Sequence, residues 1–306
     1  MRYNQRVMFT HLHTHSYYSF LDGIPSPAQL VQAAVRQGMQ ALALTDHHGL
    51  TGAIEFYDAC QQAGIKPILG IELVVNHNLG QGNLILLAMD QTGWTNLCRL
   101  SSIVQSAHHR DPNNGINFAR FAENTAGLIC LSGGKRGLGQ HLIDKDQTEF
   151  ALTFFGELQN IFPQSLYVEL QSQRPADRRD LHSLTAIAEH LKLPVVATNN
   201  VHYLNPEQAS LQRTLTAMRL NTELGDIPLD APAPPGSHFA SRQEMIERFA
   251  DYPAALANTQ KIAARCNLEL PLGVPHYPEI PLASGETAVD RLRKLAEKGA
   301  KQRYGE

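Results

Sequence analysis

The sequence has few cysteines, one tryptophan and no long apolar run. Its four cysteines, at positions 60, 98, 130 and 266 of 306 residues, form no CxxC pair. Such spacing argues against a disulfide framework or a zinc ribbon and indicates free thiols in a reducing compartment. No segment reaches the roughly 18 apolar residues of a membrane span, and the first residues lack the apolar stretch of a secretory signal. We therefore expect a cytoplasmic protein without membrane contact.

An excess of charge is also absent. Lys and Arg total 26 and Asp and Glu total 29, so the formal net charge is −3 with neutral histidine. This near balance gives no global basic signature for nucleic acid, although a local patch would still be compatible with it. An apolar content of 43% with 18% charged residues excludes a disordered chain. Histidine is abundant instead, with 14 residues in the chain.

Short apolar runs alternate with amphipathic helical patterns along most of the chain. For example, Ser26 and Pro27 are suited to start a helix that Gly38 ends, and Gly64 ends a second helix. The short apolar runs read as buried strands. Strands that alternate with helices predict an α/β fold with a parallel sheet, either a closed barrel or an open doubly wound sheet. We favour the barrel. The predicted strands cover residues 7–12, 41–44, 66–69, 84–88, 128–131, 166–170 and 195–198.

The first histidine cluster is HLHTHS, in which His11, His13 and His15 lie at i, i+2 and i+4. In an extended strand these side chains point to one face and can converge on one centre. Imidazole is a common ligand of zinc, manganese and iron, so the cluster indicates a metal site. A solvated strand edge that is rich in histidine is the alternative interpretation.

Further candidate ligands follow the predicted strands. In parallel α/β sheets and barrels, active sites form at the carboxyl ends of the strands. Histidines with only structural roles would not be expected to gather at the carboxyl ends of strands. Their positions therefore predict a metal centre, or one inherited from a metal-binding ancestor. The residues at or beyond strand ends are Asp46 and His47, Glu72, His108 and His109, and Asn200 and His202.

These ligand types indicate metal-assisted phosphoester hydrolysis. A carboxylate such as Glu72 can bridge two cations, while imidazoles complete their shells and open positions hold water. Paired metals can lower the pKa of that water and orient a phosphate ester. Asp46, beside His47, could fix the tautomer of an imidazole ligand. Glu72 and Asp46 are therefore the candidate catalytic residues.

Four motifs resemble the successive motifs of the PHP (polymerase and histidinol phosphatase) domain: HLHTHSYYSFLDG, LALTDHHGLTG, AGIKPILGIEL and LPVVATNNVHYLNPEQ. The resemblance extends over essentially the whole chain and is strongest to the version found in the alpha subunit of bacterial DNA polymerase III. TNNVHY and LSGGKRG are more similar to the error-prone members of that group.

The resemblance implies a distorted (β/α)7 TIM-like barrel with up to three divalent metal sites for Zn, Mn or Fe. Two positions depart from the family pattern. Gly134 stands where the family has Cys or His, and Asn200 stands where it has Asp. Since the number and type of ligands set affinity, we expect fewer than three metals to bind. The implied ligands are His13, His15, Asp22, His47, Glu72, His108 and His202.

The resemblance also predicts the domain organisation. Residues 1–270 would form the PHP barrel with a helical and Pro-rich extension, and residues 271–306 a linker and the first helix of a truncated polymerase palm. The palm carboxylates that bind Mg²⁺ would lie beyond Glu306, as in a truncated polypeptide or a split gene. The chain alone should therefore not extend a primer. The implied partners are DNA, through the parent polymerase, and a proofreading subunit or other replisome proteins.

Three functions are compatible with these observations. The chain could be a polymerase-type PHP module with metal binding and phosphoesterase or 3′–5′ exonuclease activity. It could instead be the same module acting as a non-catalytic scaffold for other polymerase parts. Thirdly, it could be a free-standing phosphatase or amidohydrolase on a similar barrel. The polymerase-like linker PHYPEIPL and the closing LRKLAEKGAKQRYG argue against the free-standing enzyme.

Overall fold

Short buried strands alternate with helices in the computed structural model, which describes residues 8–106, 115–273, 275 and 280–305. The strands are β1 (Ala41–Leu44), β2 (Lys66–His77), β3 (Gly80–Ala88), β4 (Ile116–Asn117), β5 (Leu128–Leu131), β6 (Leu166–Gln171) and β7 (Val195–Thr198). The helices are α1 (Pro27–Arg36), α2 (Ala53–Ala63), α3 (Gln91–Gln105), α4 (Phe118–Ala122), α5 (Leu138–Asp144), α6 (Thr148–Ile161), α7 (Arg178–Leu191), α8 (Ala209–Leu220), α9 (Arg242–Arg248), α10 (Pro253–Arg265) and α11 (Ala288–Tyr304).

The local signals in the sequence place the first helices as predicted. Ser26 caps α1 by accepting a hydrogen bond from Gln29 N, and the Gln29 side chain accepts one from Ser26 N in return. Helix α2 ends at Gly64, which adopts the left-handed conformation with φ 66°. Strands β1 and β5 are buried along their whole length because helices and the barrel interior cover both faces.

The strands form a mixed sheet in the order β1-β2-β3-β5-β6-β7, with β4 paired to β2 outside this path. Strands β1 and β2, β5 and β6, and β6 and β7 pair in parallel, whereas β3 runs antiparallel to both β2 and β5. The predicted all-parallel sheet is therefore wrong at β3. Only two residues separate β2 from β3, and a parallel neighbour would need a crossover of about a dozen residues or more.

Strand β2 is much longer than predicted and changes partner along its length. Its first four residues pair with β1, and the residues from Gly70 onward pair with β3. A side chain at position 70 would place a Cβ 2.5 Å from Leu86 O, so glycine permits the close approach of the two strands. As a result Glu72 lies inside a strand rather than after one.

Residues 11–15 close the sheet into a distorted barrel, although they form no regular strand. On one side they accept backbone hydrogen bonds from Ala43 and Thr45, at the end of β1, over 3.0 and 2.9 Å. On the other side they exchange two backbone bonds with Val201, just after β7, over 2.8 and 3.0 Å. Six strands and this segment thus form the ring, which confirms the TIM-like class that the resemblance implied.

Helix α10 covers the end of the barrel at which the parallel strands begin. Ile262, Ala263 and Cys266 pack into the same buried cluster as residues from the barrel interior, including Leu12 and Ile68. Polar contacts join the helix to the strand starts. Lys66 Nζ donates to Ala263 O over 2.6 Å, and Asn258 Nδ2 donates to Val195 O over 2.7 Å. The opposite end of the barrel is left for polar residues.

The contacts of the chain separate two compact units, Met1–Glu269 and Leu270–Glu306. The first contains the barrel and helices α1 to α10. The second contains α11, in which Thr287 caps the first turn by accepting a hydrogen bond from Asp290 N. Among the described helices, none combines the length and apolar character needed to cross a membrane.

Truncation of Leu12 tests the closure of the barrel by residues 11–15. Leu12 is fully buried in the barrel interior. Leu12→Ala should lower the free energy of unfolding by about 2–5 kcal/mol, because it removes buried methyl groups and leaves a cavity. Urea denaturation measures the change. Leu229→Ala is the control, since Leu229 is 97% exposed, and should shift stability by no more than about 0.5 kcal/mol. Equal effects of the two substitutions would contradict the role given to Leu12.

Candidate metal centre

Six of the seven predicted metal ligands meet at the open end of the barrel. They come from the segment before α1, from the end of β1, from β2 and from the residues after β7. The ligand atoms of His13, His15 and Glu72 lie within 4.8 Å of one another, and so do those of His15, His47 and His202. The two groups share His15. The six residues are His13, His15, Asp22, His47, Glu72 and His202, whereas His108 lies outside the described residues.

A buried carboxylate orients His13. Its Nδ1 donates to Glu169 Oε1 over 2.7 Å, and that oxygen also accepts bonds from Thr198 Oγ1 and Gln171 Nε2 over 2.5 and 3.0 Å. Because Nδ1 is engaged, Nε2 points to the centre, 3.8 Å from Glu72 Oε1. A carboxylate behind a histidine is the usual way in which proteins fix the orientation and basicity of a metal ligand.

His15 is oriented by a serine that Asp46 holds. Ser19 Oγ donates to Asp46 Oδ1 over 2.6 Å, and can therefore accept the bond from His15 Nδ1 over 3.1 Å. Asp46 also accepts from the backbone and hydroxyl groups of Ser16, both over 2.7 Å. Asp46, which was expected to fix the tautomer of an imidazole ligand, therefore contacts such a ligand through a serine. The carboxylate acts on His15, through Ser19, because the loop of residues 16–19 folds over it.

His202 is oriented by the backbone. Its Nδ1 donates to Asn200 O over 2.9 Å, which leaves a lone pair on Nε2 in the neutral imidazole. This buried Nε2 has no hydrogen-bond partner among the described residues, and the nearest carboxylate oxygen, Asp22 Oδ2, is 3.4 Å away. Buried nitrogens in proteins almost always have a partner. A cation would satisfy this one.

The Nε2 atoms of His13 and His15 face each other at 3.1 Å. Burial opposes protonation of His13, but the Glu169 and Glu72 carboxylates outweigh it and raise its pKa to about 9. Burial and the neighbouring His47 hold the pKa of His15 well below its ordinary value. Without a metal, one proton on His13 therefore joins the two nitrogens. Loss of that proton leaves two lone pairs directed at one point, which is the donor set of a metal site.

His47 lies between two carboxylates. Its Nδ1 is 2.6 Å from Glu72 Oε2, and its Nε2 is 2.8 Å from Asp22 Oδ2. Burial opposes the charged imidazole, but the two carboxylates outweigh it and raise the pKa of His47 to about 10. The pKa values of Glu72 and Asp22 fall well below their ordinary values, since the neighbouring histidines outweigh the cost of burial. Both carboxylates are therefore ionised and available to cations.

The two departures from the family pattern have different consequences. The Asn200 amide oxygen lies 3.0 Å from His15 Nε2, so position 200 still presents an oxygen to the centre, without the charge. Gly134 presents nothing, and the Gln171 side chain fills the space beside it. A Cβ at position 134 would lie 2.3 Å from Gln171 Cδ. Beside the position where the family has a metal ligand, this chain thus has an amide that bonds to Glu169.

His11 does not join the centre, although its spacing predicted that it would share a face with His13 and His15. Its ring packs between Phe9 and Phe239, and Nε2 donates to Ala240 O over 2.9 Å. Burial lowers its pKa to about 4, so the ring stays neutral. Leu12, the next residue, packs into the barrel interior, and the chain bends at His13, so the alternation of a regular strand does not bring His11 to the centre.

Glu169 contacts the centre, although no sequence motif predicted it. It lies inside β6, fully buried, in the sequence LYVELQ. A charged residue in a strand that is otherwise buried is uncommon unless it is paired, so this position carried a usable signal. Only the fold brings it to His13, which is 156 residues away in the chain.

A known protein family matches the first half of the chain. The model of the PHP domain matches residues 11–173, which is more than half of the chain and includes the segment from His11 through β6. The chain belongs to the PHP domain family. It is homologous to the amino-terminal region of DNA polymerase III subunit alpha.

Curated proteins that are similar to this chain include DNA polymerases. The chain is 34% identical over 315 residues to the error-prone DNA polymerase of Symbiobacterium thermophilum, covering 98% of this chain and 29% of that protein. It is 36% identical over 302 residues to DNA polymerase III subunit alpha of Escherichia coli strain K12, covering 96% and 26%. The chain thus spans less than a third of the length of these relatives, and the two subfamilies match it almost equally.

Solved structures with a similar fold are more distant. An amidohydrolase from Chromobacterium violaceum has a TM-score of 0.42 and 16% identity, covering 63% of this chain and 87% of that one. A two-domain protein from Bacteroides vulgatus that contains a predicted PHP-like metal-dependent phosphoesterase has a TM-score of 0.40 and 17% identity, covering 64% and 52%.

Substitution of Glu169 tests its role behind His13. Glu169→Gln keeps the size of the side chain but removes its charge, and an amide can donate to Nδ1 and impose the wrong tautomer. The affinity for Zn²⁺, measured by competition with a chelator, should fall by about 10- to 100-fold. The matched control is Glu157→Gln, because Glu157 contacts His77 Nε2 in the same way, over 3.0 Å. Unchanged affinity in Glu169→Gln would show that His13 needs no carboxylate.

Proposed function

We propose that the barrel end is a metal-dependent phosphoesterase centre that acts on the phosphodiester backbone of DNA. The observation that supports it is the convergence of the His13, His15 and His202 Nε2 atoms on ionised Glu72 and Asp22. Each imidazole is oriented from behind by a separate acceptor. Such an arrangement is costly to bury unless a cation completes it.

The donor set fits divalent cations that accept nitrogen and oxygen ligands, namely Zn²⁺, Mn²⁺ or Fe²⁺. His13, His15 and Glu72 would hold one ion, with the Asn200 oxygen beside them. His47, His202 and Asp22 would hold another. His108, the second-metal histidine that the resemblance implies, lies outside the described residues, and Gly134 supplies no side chain. We therefore expect one or two ions rather than three.

When bound, such ions lower the pKa of coordinated water and stabilise the charge of an in-line displacement at phosphorus. The protein residues prepare that reaction. Glu72 supplies a carboxylate that both groups of ligands can share. Glu169 and Asp46, the latter acting through Ser19, keep the nitrogens of His13 and His15 aimed at the centre. Asp46 is in this proposal a positioning residue.

DNA is the proposed substrate because the similar proteins are named as DNA polymerases. In a parent of that kind, Mg²⁺ would serve the polymerase carboxylates, and a proofreading subunit or other replisome proteins would be partners. TNNVHY and LSGGKRG favour an error-prone parent. The division into residues 1–270 and 271–306 as barrel and palm start remains part of this proposal.

A non-catalytic scaffold is the second candidate function. Gly134 and Asn200 favour it, since one position lacks a ligand and the other lacks its charge. In that case the buried network would serve the stability of a docking surface. Metal content and DNA cleavage distinguish the two functions.

Metal analysis is the first test. Protein purified without chelator should contain about one to two equivalents of Zn, Mn or Fe. Glu72→Ala should lose most of this metal, since Glu72 faces both groups of ligands. Glu157→Ala, which changes a carboxylate outside the centre, should keep it. Less than one equivalent in the unaltered chain, measured by plasma mass spectrometry, would favour the scaffold.

Nuclease activity is the second test. With Mn²⁺ or Zn²⁺, the chain should shorten a single-stranded oligonucleotide that carries a 5′ label, and Glu72→Ala should abolish the shortening. A gel time course reads out the products. Absence of cleavage in the metal-loaded chain would refute the phosphoesterase proposal. A rate on a small phosphate monoester far above that on DNA would identify a small-molecule phosphatase instead.

A further inference from the structure

Two arginines approach the outer side of the centre from different elements. Arg136 lies in the turn after β5, and Arg219 lies near the end of α8. Arg136 Nη1 is 3.7 Å from Asp22 Oδ2, and Arg219 Nη2 is 3.7 Å from Asp22 Oδ1. The arginine side chains are 29% and 35% exposed, while that of Asp22 is 3% exposed. The two guanidinium groups therefore cover a buried carboxylate at the solvent side.

The two guanidinium groups are neighbours. Arg136 Nη2 and Arg219 Nη2 both donate to the same acceptor, Ala231 O, over 3.4 Å. They approach from residues 83 positions apart in the chain, so the fold, and not local sequence, brings them together. Two like charges held side by side repel each other unless an anion lies near both.

Asp22 is not an adequate partner for these cations. It already accepts shorter bonds, from His47 Nε2 and from Gln212 Nε2, both over 2.8 Å. Charge-assisted hydrogen bonds measure about 2.7–2.9 Å, and both arginine contacts are well outside that range. Each guanidinium has five N–H donors, and one carboxylate faces two positive charges. The two guanidinium groups therefore have N–H donors and positive charge that Asp22 does not use and that a second anion could bind.

The turn that lacks a metal ligand is the one that presents Arg136. Gly133 and Gly134 both have left-handed backbones, with φ 88° and 51°, which folds the GGKRG segment tightly. Lys135 then turns to Asp177, with Nζ 2.5 Å from Oδ2. Arg136, the next residue, turns to the centre. The permanent positive charge of Arg136 therefore lies two residues after Gly134, the position where the family has a metal ligand.

We propose that Arg136 and Arg219 form an oxyanion site that holds the phosphoryl oxygens of a phosphate group at the mouth of the metal centre. Paired arginines are well matched to phosphate, since their planar forks donate to two oxygens at a time. The significance of the site for catalysis rests on the proposed function. The binding itself requires only the two guanidinium groups. The phosphate could be a terminal monoester or a diester within a strand.

Inorganic phosphate is the probe that tests the site. ³¹P NMR titration of the full chain, after removal of metal with EDTA, should show saturable binding. Arg136→Gln and Arg219→Gln should each weaken it by about tenfold, the equivalent of one hydrogen bond to a charged group. The affinity of Arg136→Lys for phosphate should lie between those of the unaltered chain and Arg136→Gln, because lysine keeps the positive charge but lacks the planar, two-pronged donor group of arginine. Arg213→Gln is the control, since exposed Arg213 lies on the same helix as Arg219 and donates instead to Leu224 O over 2.9 Å.

Three outcomes would overturn the proposal: no saturable binding by the unaltered chain, equal binding in both glutamine variants and the unaltered chain, or equal weakening in Arg213→Gln. Phosphate binding without any DNA cleavage by the metal-loaded chain would refute the phosphoesterase function and leave the oxyanion site standing.

Oligothymidylates with a 3′-phosphate and a 3′-hydroxyl distinguish the two kinds of phosphate group, a terminal monoester and a diester within the strand. Tighter arginine-dependent binding of the phosphorylated strand identifies the terminal monoester, and equal arginine-dependent binding identifies the diester.

Discussion

The backbone hydrogen bonds of residues 11–15 hold both the barrel and the centre together. The same five residues join the end of β1 to the residues after β7, and carry the His13 and His15 side chains. Because alternate residues of an extended segment face the same side, closing the ring also aims both imidazoles at the open end. Fold and site are therefore coupled: a change that loosens the ring displaces two ligands at once.

This coupling explains how so many polar groups are buried in one place. Glu72, Asp22 and the imidazoles would each cost several kcal/mol if they were buried alone. Without metal, protons on His13 and His47 supply the positive charge, as their raised pKa values indicate. A divalent ion would replace those protons at the same nitrogens. Protons thus balance the charge of the carboxylates without metal, but His202 Nε2 would gain a partner only from a bound cation.

The sequence predicted the elements and most of the centre because both have local signals. Helix α1 follows from Ser26 and Pro27, and the candidate ligands follow from their positions at strand ends. The direction of β3 was missed because buried strands look alike in parallel and antiparallel sheets, and only the two-residue link to β2 distinguishes them. The role of Glu169 was missed because its partner is distant in the chain and the apolar run around it suggested a strand of the core alone.

Gly134 and Arg136 together determine the source of positive charge at the open end of the barrel. A side chain that binds metal at position 134 would bring a cation to the site only when that ion is loaded. Arg136 and Arg219 instead keep two positive charges beside Asp22 under all conditions, because arginine does not lose its proton in proteins. Fixed charge of this kind attracts a phosphate but cannot activate water. In the proposed centre, recognition therefore falls to the guanidinium groups, and activation depends on the ions held by the histidines and Glu72.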